Sequence, residues 1–256
     1  MLAQILHPAS DTATQPTLVI AHGLYGSGRN WGVIARRLAD RRRVVAVDMR
    51  NHGDSPRTPT QSYPDMAADL AEVIAALGAP VDLLGHSMGG KAAMQLALTR
   101  PDLIHRLIVA DIAPVAYTHD QTRHVDAMAA LDLSLITTRA EADAALSGSV
   151  DDPALRAFFL QSLDFKAQPP RWKLNLSVLR AEMPDIVGWP GTEGQFDKPT
   201  LFLTGADSAY VRAENREAIR ALFPKARFAK IPGAGHWLHA EKPREFEETV
   251  RVFLEA

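Results

Sequence analysis

Ser87 lies in Gly85-His86-Ser87-Met88-Gly89-Gly90, a Gly-x-Ser-x-Gly pattern set between a short apolar run and a helical one. A serine at such a place occupies a tight strand-to-helix turn. Its backbone is strained, the flanking glycines let neighbouring chain pass, and its hydroxyl is pushed out above the sheet. A serine hydroxyl is too weak an acid to attack unaided, so a base must stand within hydrogen-bond reach, and histidine has the pKa for that work. Of the 9 histidines, His236 falls in Gly233-Ala234-Gly235-His236-Trp237, a glycine-rich loop between the last strand-like run and the last helical pattern. The chemistry that Ser87 and His236 could do together is acyl transfer: attack on an ester or thioester carbonyl, an acyl-serine, then hydrolysis.

Such a reaction builds negative charge on the carbonyl oxygen. The helix starting at Met88 aims free N–H groups and a positive dipole end at that position, which makes Met88 N–H one candidate donor. The loop His22-Gly23-Leu24-Tyr25-Gly26, directly after an earlier apolar run, offers Leu24 N–H as the second. His22, His52 and His86 read as loop braces rather than proton carriers. His236 and His239 have helical spacing, but no third ligand stands beside them in a recognised arrangement, so no metal and no cofactor are expected. The group that orients His236 is open between Asp111 and Asp207, each at the end of a predicted strand.

The elements that must hold these residues are legible as a pattern. Apolar runs at Thr17–Ala21, Val44–Asp48, Val81–Gly85, Leu107–Asp111, Thr200–Thr204 and Arg227–Ile231 have the Val, Ile and Leu content of strands covered on both faces. Helical patterns alternate with them at Trp31–Leu38, Asp65–Leu77, Gly89–Thr99, Ala213–Leu222 and Pro243–Leu254. The fold class is therefore α/β with a mostly parallel sheet. The alternation stops between about residues 114 and 196, where helical segments Thr122–Leu131, Arg139–Leu146, Pro153–Leu163 and Trp172–Ala181 carry no convincing strand. This stretch reads as a helical cap inserted into a core made of residues 1–113 and 197–256. Its Phe158, Phe159, Trp172 and Trp189 would serve mainly as the insertion's own core.

A net charge of -2 gives no field that would draw the chain to nucleic acid or an anionic membrane, so a small-molecule partner is expected. The start, MLAQILHPAS, lacks a basic leader and no stretch is long and apolar enough to span a bilayer, consistent with a cytoplasmic protein. Cysteine is absent, which removes disulfides, thiolate metal sites and a cysteine nucleophile. Arg36, Arg37, Arg41, Arg42 and Arg43 could meet the phosphates of a coenzyme A thioester, although cations at a helix end ordinarily complement its dipole.

Taken together, these motifs resemble the α/β-hydrolase superfamily and, within it, the YbfF-type bacterial esterases and their relative α/β-hydrolase domain-containing protein 11. The resemblance runs over nearly the whole chain. It is carried by His22-Gly23-Leu24-Tyr25-Gly26-Ser27, Asp48-Met49-Arg50-Asn51-His52-Gly53-Asp54-Ser55-Pro56, the Ser87 motif through Lys91, Asp111-Ile112-Ala113-Pro114, and the His236 motif with His239-Ala240-Glu241-Lys242-Pro243. Most superfamily members carry the acid as Gly-x-x-Asp. Here Gly205-Ala206-Asp207-Ser208 puts serine at that place and aspartate one residue early. The resemblance implies Asp111 as the acid, with Asp207 the alternative, and an Asp48–Pro56 loop that supports the oxyanion loop. It also implies Ser208 and Tyr210 at the substrate; Tyr25 and Trp237 complete the candidate substrate-binding set. The expected activity is that of a serine carboxylesterase or thioesterase. The same scaffold also supports carbon–carbon bond hydrolysis, haloperoxidase-like chemistry or ligand binding without turnover.

Overall fold

The computed structural model describes residues 1–9, 14–118 and 121–256. Among them, seven strands form one sheet in the order β1-β3-β2-β4-β5-β8-β9: β1 (Gln4–His7), β2 (Leu18–Ala21), β3 (Val44–Val47), β4 (Val81–His86), β5 (Ile104–Ala110), β8 (Thr200–Gly205) and β9 (Ala226–Ile231). All neighbours are parallel except β1, which runs antiparallel along β3. The apolar runs thus become the parallel strands that the sequence implies. β1 is an addition. Its Gln-Ile-Leu-His is too short and too polar to declare itself, and it pairs on one side only, with alternate residues exposed.

Although β2 and β3 are buried at every position, pleating divides them between two cores. Leu18, Ile20, Val44 and Ala46 face Ile34 and Leu38 of α1 (Gly32–Leu38) and Phe246, Val250 and Leu254 of α11 (Pro243–Glu255). Val19, Ala21, Val45 and Val47 join the cluster containing Met66, Leu70 and Ile74 of α2 (Tyr63–Leu77) and Ala92, Ala93 and Leu96 of α3 (Met88–Thr99). Continuous hydrophobic strands are what such a doubly covered sheet needs.

After β2 the chain moves outward to β3, and then returns to place β4 on the other side of β2. Strand order reverses there, and the carboxyl ends of β2 and β4 open the crevice where ligands bind in sheets of this type. Ser87 and the His22–Gly26 loop stand at those two ends.

Between β5 and β8 the chain builds α4 (Thr122–Ala129), α5 (Arg139–Leu146), α6 (Pro153–Phe159), α7 (Leu176–Ala181) and α8 (Met183–Val187). It also forms a strand pair absent from the sequence reading, β6 (Leu163–Asp164) with β7 (Arg171–Trp172). Trp172 is therefore a strand residue and not the start of a helix, and its indole N–H donates to the Met128 carbonyl at 3.0 Å. Two residues per strand leave no periodicity to read. The remaining elements are α9 (Asn215–Leu222), between β8 and β9, and the short α10 (Leu238–Glu241) before α11.

Candidate active site

The loop-to-helix turn after β4 is built by close approach. A Cβ on Gly85 would lie 2.3 Å from the Gly89 carbonyl oxygen, and one on Gly89 would lie 2.5 Å from the oxygens of Ala21 and His22. With no side chains there, β4, α3 and the β2 loop pack directly, and Ser87 is held at φ 52° and ψ −119°. Tyr25, Asn51 and Asp111 also have positive φ, at 64°, 62° and 51°. The positive-φ non-glycine residues among the described residues thus fall on loops at one edge of the sheet, as strain at working sites does.

His236 Nε2 stands 3.1 Å from Ser87 Oγ, and His236 Nδ1 stands 2.7 Å from Asp111 Oδ2. A carboxylate only accepts, so the proton is on Nδ1, and Nε2 is left free to accept the serine hydroxyl. Asp111 is fully buried and His236 is largely so. Asp111 also receives the Gly205 N–H on Oδ1 at 3.2 Å and the Ser208 hydroxyl on Oδ2 at 2.5 Å. Asp207 is exposed, and its backbone N–H donates to the Ala234 carbonyl at 2.9 Å. Of the two candidate acids, Asp111 is the one the fold brings to the imidazole.

Leu24, Tyr25, Met88, Tyr210 and Trp237 line a cavity of about 220 Å³ together with Ser87 and His236. Among the described hydrogen bonds, Leu24 N–H and Met88 N–H take no protein acceptor. Ser208 is not among the residues that line this cavity; its hydroxyl is turned back onto Asp111. The missing aspartate of the Gly-x-x-Asp pattern is thus replaced by a serine that reaches the aspartate of the neighbouring strand. From the insertion, Leu155, Phe158, Phe159, Ile186 and Val187 form an apolar wall. Trp172 and Trp189 stay outside it, so the four cap aromatics split evenly between cavity and packing.

The imidazoles of His22, His52 and His86 are fixed as braces. His22 donates from Nδ1 to the Gly23 carbonyl at 2.8 Å and accepts Met49 N–H on Nε2 at 2.9 Å. His52 does the same with the Arg50 carbonyl at 2.8 Å and Tyr25 N–H at 3.2 Å. Each is neutral by construction, and burial lowers their pKa values to about 4 and about 3. Asp48 completes the link, accepting Gly28 N–H at 2.7 Å and Asp54 N–H at 2.8 Å. The 48–56 loop therefore holds the 22–28 loop through bonds to its backbone. His86 donates to the His236 carbonyl at 2.9 Å, and burial pushes its pKa well below the usual imidazole range. His239 is stacked on Trp31 with ring centroids 4.1 Å apart.

Lys91 is a residue for which the sequence assigns no role. Buried one turn after Ser87, it donates to the carbonyls of Val187, at 2.9 Å, and Gly188, and so ties α3 to the end of α8. Its ammonium lies 4.7 Å from the centre of the Tyr117 ring, and burial lowers its pKa to about 7. The arginines considered for phosphate lie elsewhere. Arg42 is buried on Asp82 at 2.7 Å, and Arg43 is bound to Thr17 and the Leu77 carbonyl.

Residues 16–243 match the family model for the alpha/beta hydrolase fold. The chain belongs to the α/β-hydrolase family. Within it the relatives are of the YbfF and ABHD11 type. The hydrolase is 40% identical over 250 residues to esterase YbfF of Escherichia coli K12, covering 96% of both chains. It is 41% identical over 251 residues to the sn-1-specific diacylglycerol lipase ABHD11 of Mus musculus, covering 94% of this chain and 82% of the relative. Among solved structures, a marine microorganism esterase superposes with a TM-score of 0.92 at 37% identity, covering 99% of this hydrolase and 100% of that chain.

Proposed function

We propose that this hydrolase is a serine esterase acting on small to medium acyl esters or acyl thioesters through an acyl-enzyme. The observation that carries the reading is the continuous chain from Ser87 Oγ to His236 Nε2 at 3.1 Å and from His236 Nδ1 to Asp111 Oδ2 at 2.7 Å. It opens into a cavity that also presents Leu24 and Met88. The named activities of the esterase and lipase relatives point the same way.

In this mechanism Ser87 Oγ attacks the acyl carbon as its proton passes to His236 Nε2, and Leu24 and Met88 N–H groups hold the oxyanion. The bond to the alcohol or thiol then breaks, and the leaving group departs with the proton from Nε2. Water repeats the sequence on the acyl-serine, releasing the acid and restoring the serine. Asp111 stays ionised throughout and favours the imidazolium. No step calls for a metal or cofactor. The apolar wall formed by α6 and α8 receives the acyl chain, so residues 114–196 act as a cap that selects it. Among the described residues no helix is long and apolar enough to cross a membrane.

The test is labelling by a fluorophosphonate together with turnover of p-nitrophenyl butyrate and a series of acyl-coenzyme A thioesters. Labelling lost in Ser87→Ala, with hydrolysis of either series, is the expected result. An unlabelled wild-type protein would return the chain to a non-catalytic binding role.

A further inference from the structure

Tyr210 lies face to face with His236, ring centroids 3.9 Å apart and planes 18° from parallel. Among the described residues this is closer and flatter than any other ring contact of that imidazole. His86 sits 4.8 Å away at 41°, and Trp237 meets it edge-on at 5.9 Å. The backbone of Tyr210 is held as well. Tyr117, at the entry to the insertion, accepts Ala113 N–H at 2.9 Å and donates its hydroxyl to the Tyr210 carbonyl at 2.7 Å. Tyr210 N–H in turn donates to Ser208 Oγ at 3.2 Å, and Ser208 is bonded to Asp111. The backbone that carries the ring is thus tied, through Ser208, to the Asp111 carboxylate.

We propose that Tyr210 is a positioning residue for His236, its aromatic face stabilising the imidazolium that forms when the serine proton is taken up. The inference rests on the Ser87–His236–Asp111 reading. Its physical basis is a difference between states: an aromatic face attracts a cation within about 6 Å of its centroid more strongly than it does a neutral ring stacked in the same place. It therefore favours the transition state over the resting enzyme, which is what raises kcat. Asp111 stabilises the cation through Nδ1, in the plane of the ring, and Tyr210 acts from above that plane. Among the described residues, the other groups facing His236, besides Asp111, are Ser87, His86 at the end of β4 and His239 on α10. His239 is held neutral by burial, with its pKa lowered to about 3, and His86 is lowered likewise. Neither can supply the stabilisation, and a charge on either would oppose it.

The decisive experiment is an NMR titration of His236 in the Ser87→Ala background, comparing Tyr210, Tyr210→Phe, Tyr210→Met and Tyr210→Leu. The Phe variant keeps the face and should keep the His236 pKa. The two non-aromatic variants should lower it by about one unit, a tenfold loss of proton affinity. In the active background the acid limb of the kcat/KM profile should move by the same amount, with kcat and not KM falling. An unchanged His236 pKa in Met and Leu overturns the proposal, as does a Phe variant that matches them, since the hydroxyl would then be the working group. Should the non-aromatic variants fail to fold, pentafluorophenylalanine at 210 weakens the face without changing its size, and must lower the pKa relative to Phe. The titration needs no turnover, so it is decided independently of whether Ser87→Ala abolishes hydrolysis.

Discussion

The sheet carries two histidine–aspartate pairs at its opposite ends. At the carboxyl end His236 Nδ1 meets Asp111 at 2.7 Å; at the amino end His105 Nδ1 meets Asp82 at 3.0 Å. Both aspartates are fully buried. The difference lies in what surrounds them. Asp82 already pairs with the Arg42 guanidinium at 2.7 Å, its histidine is 45% exposed, and no serine stands at the far nitrogen among the described contacts. Burial raises the Asp82 carboxyl while His105 and Arg42 pull it back, as in a structural ion pair that does no more than neutralise itself. Asp111 has no guanidinium or ammonium partner among the described ion pairs, only a backbone N–H and a serine hydroxyl. Its charge is therefore available to an imidazole that becomes cationic. The pair is common chemistry; the strained turn, the cavity and the lack of a competing cation set one copy apart.

The largest effect separating the two ends should come from Ser87→Ala, which is expected to reduce kcat for p-nitrophenyl butyrate on the order of 10⁴-fold or more with unchanged circular dichroism. Full activity in that variant would end the proposal for the carboxyl-end pair. Asp111→Asn should lower kcat by about 10² to 10⁴-fold, because the amide favours the wrong imidazole tautomer. Asp82→Asn should leave kcat within about twofold and instead lose about 3 kcal/mol of stability, read by urea unfolding, because Arg42 is left buried without its partner. If the two asparagine variants exchanged these phenotypes, the contrast drawn between the pairs would be reversed.

Ser208→Ala removes a hydroxyl bonded to a buried charge and should reduce kcat about tenfold with little change in KM. A change confined to KM would instead mark Ser208 as a substrate contact. A separate effect, on folding and not on turnover, is in stability against pH. His22, His52 and His239 are neutral when folded, with pKa values lowered to about 4, 3 and 3 by burial, whereas the unfolded chain takes up protons near 6.5. The unfolded state therefore binds more protons as pH falls below 6.5, and folding stability must drop toward pH 4. The slope should approach about 1.4 kcal/mol per pH unit for each imidazole. Urea melts at pH 7, 6 and 5 read it directly, and a flat profile over that interval would show that these rings are not held neutral.

Much of this molecule is local enough to read from one dimension. The six parallel strands, the alternating helices and the Gly85–Gly90 turn are demanded by burial and by backbone geometry within a few residues, and both leave their mark in composition. The order of Ser87, Asp111 and His236 along the chain is equally plain. What the sequence left open was Asp111 against Asp207. That choice is a matter of aim: it depends on the parallel register of β5 and β8, which sets Ala110 beside Leu203, and on a turn at φ 51° that swings the carboxylate toward His236. The same applies to Ser208, read as a substrate contact and found behind the acid, and to β1, which exists only because β3 offers an edge. Residue types and spacing determined which chemistry the chain could do. Only the tertiary structure decided which carboxylate and which aromatic face meet the imidazole, because Asp111 lies 125 residues from His236 and Tyr210 on a separate loop, and neither contact leaves a local trace.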